Sequence, residues 1–333
     1  MQPRFALYET LIGGLLLVTA NVCIAEKSEN LDWLKTAVFA AHQTEYSGVF
    51  VFQYDNHVET LRITHVVEPD SEYEKLESLD GPKREIIRHH GQVWCYIGQK
   101  MEQVDSQLGL NKFPSLLLEH LSALSENYNV KTVGVERVAG FNAQAVLFQS
   151  PDNLRYTHKI WVHTDSGLLL KVAVLGDNNQ PVEQYAFTQL KIGGGIDRGW
   201  VKAIAANASI RPQVNLHASA SAIPEIVKGG RLVTSGWAVG VLPTGFKKTL
   251  EIQRPMRGRH APVTQMVFSD GLSAISVFIE PADADEDDVE GLSSRGAVSW
   301  YHKVVDKNLF TVVGEVPPRT VMQVLDSIRH NGR

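Results

Sequence analysis

Between residues 48 and 192 the chain runs through short segments rich in β-branched and aromatic residues: "GVFVFQY", "VETLRITHV", "KREIIRH", "QVWCYIG", "NVKTVGVER", "AQAVLFQS", "YTHKIWVH", "GLLLKVAVLG" and "PVEQYAFTQLKI". Such segments fit a pleated, half-buried surface. Turn formers punctuate them, as in "DSG" at 165–167 and "GDNNQP" at 176–181, where the chain can reverse between antiparallel strands. Helical periodicity does not alternate with the strands, so a parallel α/β sheet is disfavoured. The expected architecture is α+β and β-rich: one large antiparallel sheet with helices laid against it.

Three segments carry helical signals. In "NLDWLKTAVFAAHQTE" (30–45) Asn30 can cap the start, and Leu31, Leu34, Val38 and Ala41 share a face. "FPSLLLEHLSALSENY" (113–128) opens on Pro114 and Ser115 and stacks Leu117, Leu118, Leu121 and Leu124. "PPRTVMQVLDSIRH" (317–330) follows two prolines, and its closing Arg329 and His330 suit the negative end of a helix dipole. The stretch around 203–225, rich in Ala, Ser and Asn, reads as a linker. Beyond it, strands are predicted near 231–240, 248–254, 262–269, 273–280, 297–304 and 309–315. The expected division is a signal peptide at 1–25, a large domain at 26–205, a linker at 206–224 and a smaller α+β domain at 225–333.

The signal peptide is read from Arg4, the apolar run "LIGGLLLVTA", and the small residues of "VCIA" before Glu26. The run is about half of the roughly 20 residues a spanning helix needs, so cleavage after Ala25 is expected rather than a permanent anchor. Cleavage removes Cys23 and leaves Cys95 alone, so the mature chain has no internal disulfide and must rest on its apolar cores. A formal net charge of -5 supplies no general attraction for nucleic acid.

Catalytic signatures are missing: there is no G-x-S-x-G, H-E-x-x-H, C-x-x-C, P-loop or G-x-G-x-x-G. "GGG" at 193–195 lacks the helix opening of a phosphate cradle and reads as a strand end. The acidic run "PADADEDDVEG" (281–291) has Asp288 where a calcium loop of the EF-hand type needs glycine, so a solvated loop is expected. No metal or other cofactor is expected. The histidines are scattered; His158 and His163 fall an odd number of residues apart on one strand and face opposite sides.

The busiest stretch is "SLDGPKREIIRHHGQVWCYIG" (78–98), which holds His89, His90 and Cys95. As a hairpin turning at His90-Gly91 it pairs Arg88 with Val93, Ile87 with Trp94, Ile86 with Cys95 and Glu85 with Tyr96. Cys95 then shares a face with Ile86, Arg88 and Val93, while His89 shares the other with Trp94 and Tyr96. A Cys–His dyad or a joint metal site needs both groups on one point, so neither is expected.

That stretch resembles the RseB/MucB family of periplasmic sigma-E factor regulatory proteins, as do "YTHKIWVHTDSGLLLKVAVLGDNNQPVEQYAFT", "VLPTGFKK", "FSDGLSAISVFIEP" and "FTVVGEVPPRTVMQVLDSIR". The resemblance runs from about Leu31 to the C-terminus. It implies a periplasmic regulator, not an enzyme. Such a protein binds the periplasmic domain of an anti-sigma factor of the RseA/MucA type and shields it from regulated proteolysis. Lipid or lipopolysaccharide binding then releases the partner. It also implies that the large domain is a LolA-like, unclosed antiparallel β-barrel around helices and that the small one helps bind the partner.

A curved sheet over helices leaves an apolar interior suited to an acyl chain. Candidate lining residues are Phe50, Phe52, Trp94, Tyr96, Leu117, Leu121, Phe148 and Trp161, although ordinary core packing uses the same side chains. Candidate partner anchors are Trp237, Phe246 and Trp300. Homo-oligomers are compatible with this reading. The rival functions are a lipoprotein or lipid carrier of the LolA type, and an exported hydrolase without a familiar motif.

Overall fold

The computed structural model describes residues 35, 39, 42–69, 71–89, 92–98, 100–104, 113, 121–201, 230–256, 259, 261–282 and 289–331. The expected signal peptide, the linker, Leu117 and the His90-Gly91 turn lie outside them, as does most of the acidic run. Among the described residues no helix is long and apolar enough to cross a membrane.

The first eleven strands are β1 (Tyr46–Tyr54), β2 (His57–Glu68), β3 (Ser71–Ser78), β4 (Arg84–His89), β5 (Gln92–Ile97), β6 (Lys100–Val104), β7 (Asn129–Val138), β8 (Phe141–Gln149), β9 (Thr157–His163), β10 (Leu169–Leu175) and β11 (Pro181–Ile192). They form one antiparallel sheet in the order β6-β5-β4-β3-β2-β1-β11-β10-β9-β8-β7. Two meanders are thus joined through the central pair of β1 and β11, and the edges β6 and β7 do not pair, so the sheet is unclosed. Helix α1 (Leu121–Asn127) precedes β7 and buries Leu124 in the large core.

Register follows the side-chain alternation. Phe50 pairs with Leu61 on one side and Phe187 on the other, and Phe52 pairs with Glu59 and Tyr185. Following the pairs outward places Ile63, Leu76, Ile86 and Cys95 on this same inner face in one direction. Val172, Ile160, Val146 and Phe148 follow in the other. The hairpin register at 85–96 is as expected: Glu85 with Tyr96, Ile86 with Cys95, Ile87 with Trp94 and Arg88 with Val93. The opposite, outer face carries Ile87 and Trp94, against which Trp200 packs.

Two strands escape the apolar pattern. β3, "SEYEKLES", is charge-rich, yet it places Tyr73 and Leu76 in cores while Lys75 pairs with Glu77 at 3.3 Å. β6 has no apolar alternation at all.

The second sheet holds β12 (Arg231–Leu232), β14 (Lys247–Arg254), β15 (Val263–Ser269), β16 (Ala274–Pro281), β17 (Glu290–Arg295), β18 (Val298–Val305) and β19 (Asn308–Gly314). Its order is β12-β14-β15-β16-β19-β18-β17. Helix α2 (Pro318–Asp326) packs on it through Val321, Val324 and Leu325. The helix predicted to reach residue 330 stops earlier. Ser327 caps it, its hydroxyl donating to the Val324 carbonyl at 2.7 Å. Ile328–His330 then forms β20, which pairs with β13 (Trp237–Val239) in a separate two-stranded sheet. Arg329 still serves the helix end, donating to the Asp326 carbonyl at 2.9 Å.

His158 sits on the inner face opposite Phe148 and Val174, and its Nε2 is buried without a hydrogen-bond partner among the described residues. Burial pulls its pKa from the usual 6.5 to about 4, against a smaller opposing pull from Asp270. The unfolded chain therefore binds a proton that the fold excludes, so stability is lost as pH falls from about 6.5 towards 4. His158→Phe removes this contribution; denaturation midpoints followed across that window should fall less for the variant than for the unaltered chain.

Candidate ligand face and domain joint

Aromatic rings concentrate on the inner face of β1 and β11. Phe50 is fully buried. Phe113, also fully buried, sits edge-on to Phe50 at 5.0 Å, stacks on Tyr185 at 5.5 Å and lies 5.2 Å from Phe187. Phe52 stacks on Tyr185 at 4.4 Å with the rings 7° from parallel. Phe148 joins the same core from β8.

One end of this face is polar. His65 stacks on Tyr46 at 5.0 Å, and its Nδ1 lies 2.8 Å from the Thr44 carbonyl. Glu72 Oε2 lies 3.5 Å from His65 Nε2 and 3.1 Å from His42 Nδ1. Hydrogen bonding from His65 is the main pull that brings the Glu72 carboxyl down to about 2. Arg88 pairs with Glu74 beside it. Burial pushes the Tyr46 hydroxyl well above its ordinary pKa, so it stays neutral and can donate.

The expected lining residues divide between the faces. Phe50, Phe52 and Phe148 come together on the inner face. Trp94 and Tyr96 lie on the outer face, where Trp94 packs with Ile87, Tyr96 and Trp200. Trp161 is buried but pairs with Lys171 and Ala145 on the outer side. There Lys159 and Lys171 each sit 4.6 Å from its ring, and its indole N–H donates to Glu136 at 2.7 Å. Alternation decides this: aromatics on both faces of a strand look alike in composition, but only one parity points inward. Leu117 and the side chain of Leu121 lie outside what is described.

The expected anchors divide as well. Phe246 is buried in the second core, and Trp300 lies half-buried on the sheet face opposite Tyr301. Trp237 lines a cavity of about 590 Å³ with Phe310, Leu325 and Ile328 below and Lys303, Asp306, Asp326 and Arg329 around it. The cavity thus has an apolar floor and a charged rim.

A second functional element, absent from the sequence reading, is the joint between the two sheets. Asp270, in the turn between β15 and β16, accepts from Tyr128 Oη at 2.8 Å and Arg155 Nη1 at 3.2 Å. Its other oxygen accepts the N–H groups of Leu272 and Ser273 at 3.0 and 2.8 Å. The side chains of Arg155 and Asp270 are both 0% exposed. Arg155 also donates to Asp152 at 2.8 Å and to the Asn127 carbonyl at 3.2 Å, and lies 5.1 Å from the Tyr128 ring. Both charges are therefore satisfied, the condition under which a buried pair holds.

Nearby, Arg319 of α2 grips Asp177 with two bonds of 2.7 and 2.6 Å, and Thr320 donates to the Leu154 carbonyl at 2.8 Å. At another point the turn between β17 and β18 meets the end of β1: Arg295 bonds the Tyr54 hydroxyl, Gly296 N–H donates to Asp55 at 3.2 Å, and Ala297 N–H donates to Glu183 at 3.2 Å. Burial raises the Glu183 pKa above the usual carboxylate range. Only the Asp-Gly turn at 270–271 was a local signal; its partners lie more than a hundred residues away, where no short motif can record them. Among the described residues no group of His, Cys, Asp and Glu could hold a metal ion.

A large unclosed sheet with an aromatic inner face, clasped to a smaller sheet by a buried ion pair, defines a two-domain β-rich binding protein. Residues 29–205 match the MucB/RseB N-terminal domain and residues 231–329 the MucB/RseB C-terminal domain, and the chain belongs to this family. It is 31% identical to the sigma factor AlgU regulatory protein MucB of Pseudomonas aeruginosa over 96% of this chain and 95% of that one. It is 26% identical to the sigma-E factor regulatory protein RseB of Escherichia coli K12 over 96% of each chain. The solved complex of Pseudomonas aeruginosa MucA and MucB superposes with a TM-score of 0.69 at 30% identity, covering 91% of this chain and 99% of that one.

Asp270→Ala should cost about 3–5 kcal/mol in chemical denaturation, because Arg155 is left as an uncompensated buried charge. Adding Arg155→Ala to it should cost far less than Arg155→Ala alone, since the pair acts as a unit. Simple additivity of the two losses would contradict the coupling.

Proposed function

We propose that this chain is a non-catalytic, periplasmic regulator of an envelope-stress sigma factor. It binds the periplasmic segment of a membrane anti-sigma factor of the RseA/MucA type and shields it from regulated proteolysis. The observation that carries this reading is the likeness to MucB along both domains, including a superposition of 91% of this chain on MucB in its complex with MucA. Trp237, half-buried at the cavity in the second domain, is the proposed anchor for an apolar side chain of the partner. Export by a signal peptide at 1–25, and the division into domains at 26–205 and 225–333, belong to the same proposal.

The second part of the reading is that a lipid, or the lipid portion of lipopolysaccharide, binds the inner face and releases the partner. The physical support is the shape of that face. Phe50, Phe52 and Phe148 line an apolar interior, while His65, Glu72, Glu74 and Arg88 make one end polar. An amphiphile has the same two-part chemistry. A carrier of the LolA type would use the same face. What favours a regulator is the second domain clamped by a fully buried ion pair, which a carrier built on one cavity does not need.

Calorimetric titration of the partner's purified periplasmic segment into the mature chain should give micromolar or tighter binding. Trp237→Ala should weaken it by at least about tenfold, a loss typical of an interface hot spot. Added lipopolysaccharide should weaken it in the unaltered chain. Absence of binding would overturn the regulator reading; binding indifferent to lipopolysaccharide would overturn only its lipid-responsive part.

A further inference from the structure

The inner face does not end at the core. On β1 and β11 two adjacent cross-strand pairs share that face: Phe52 with Tyr185, then Tyr54 with Glu183. Their rings form a stack from the centre of the large domain to its edge. Phe113 lies on Tyr185, Tyr185 on Phe52 at 4.4 Å, and Phe52 beside Tyr54 at 5.0 Å.

Each ring nearest the edge carries a hydroxyl that reaches the second domain's contact. Tyr185 donates to Glu183 Oε1 at 3.1 Å, and Glu183 Oε2 accepts the N–H of Ala297 at 3.2 Å. Tyr54 receives Arg295, whose guanidinium also sits 4.6 Å from the ring. Between these two contacts stands Gly296, with φ of +57°. A Cβ there would lie 2.7 Å from Glu183 Oε2 and 2.9 Å from Tyr54 Cβ. The turn at 295–297 is thus seated directly on the end of the aromatic stack, and only glycine permits the approach.

We propose that this stack is a relay: an acyl chain entering the inner face displaces the Tyr185 ring, and the displacement unseats the turn at 295–297 of the second domain. The proposal rests on the lipid part of the function given above. The site is packed shut, with Phe113 fully buried and Tyr185 at 5% exposure, so an acyl chain cannot enter without moving one of these rings. Moving Tyr185 withdraws a hydrogen bond from a half-buried carboxylate, and the same carboxylate holds Ala297. Loss of one donor changes the geometry offered to the other. The Arg155–Asp270 pair touches none of these rings, so the domains stay joined while the turn is released. The relay couples two sites through a discrete element with a seated and an unseated arrangement, which is the physical content of allostery.

The test is amide hydrogen exchange at Gly296 and Ala297 in the full mature chain, with sodium palmitate as the probe and calorimetry to register its binding. Palmitate should speed exchange at these two amides by about tenfold or more, the mark of a local opening. Tyr185→Phe keeps the ring stack but lacks the hydroxyl; at palmitate concentrations where calorimetry shows the variant saturated, it should show no such response. Gly296→Ala crowds the turn against Glu183 and Tyr54 and should exchange fast at Ala297 before palmitate is added. Binding of palmitate with unchanged exchange in the unaltered chain would overturn the relay and leave the lipid reading standing. A response in Tyr185→Phe equal to that of the unaltered chain would also overturn it. Failure of palmitate to bind at all would overturn the lipid reading and the relay with it.

Discussion

Everything in the large domain depends on burying one face of a sheet that does not close. With β6 and β7 unpaired, hydrogen bonding does not seal the structure into a barrel, so side chains must fill the inner face. Phe50 stands at the middle of it, on the strand pair that joins the two meanders, and is packed by Phe113, Tyr185 and Phe187. Gly48, two residues earlier, shows how close that packing is: a Cβ there would lie 2.6 Å from the Gln189 carbonyl and 2.7 Å from the Phe187 ring. An interior made this way is tight at rest but is built of side chains that can move, unlike a hydrogen-bonded wall.

The second domain is attached where this interior reaches the surface, and the two kinds of attachment differ. Arg155, Asp270 and Tyr128 form a buried, fully satisfied cluster whose loss leaves a charge in an apolar setting. The turn at 295–297 makes contacts to groups that belong to, or directly adjoin, the inner-face aromatics. One attachment holds the domains together and the other, in the relay proposed above, reports on the interior. In the proposed regulator, whose partner is held and then released, that division would put the sensing surface and the holding surface on separate residues.

Fold class and strand register were legible in the residues because both rest on alternation, a local property. The pairing of Ile86 with Cys95 and Ile87 with Trp94 follows from the sequence alone and already separates the histidine and cysteine of that hairpin. β3 was not legible, because charged residues occupy both of its faces, Lys75 pairing with Glu77 on one and Glu72 and Glu74 meeting His65 and Arg88 on the other, while Tyr73 and Leu76 are buried. The end of α2 was misplaced because Ile328, Arg329 and His330 suit a helix terminus by composition, and only pairing with Trp237–Val239 makes them a strand. The make-up of the inner face was legible in part. Aromatic content marked Phe50, Phe52 and Phe148, but it equally marked Trp94 and Trp161, whose parity turns them outward. The domain joint was not legible at all, since Arg155 and Asp270 meet across 115 residues.

The central claim is that the inner face, and not the outer aromatic surface or the second domain, receives the acyl chain. Photolabelling the mature chain with a diazirine-bearing palmitate, followed by peptide mapping, locates the chain directly. The account predicts labelling concentrated on the strands that carry Phe50, Phe148 and Tyr185. Labelling confined to the surroundings of Trp94 and Trp161, or to the cavity beside Trp237, would contradict it.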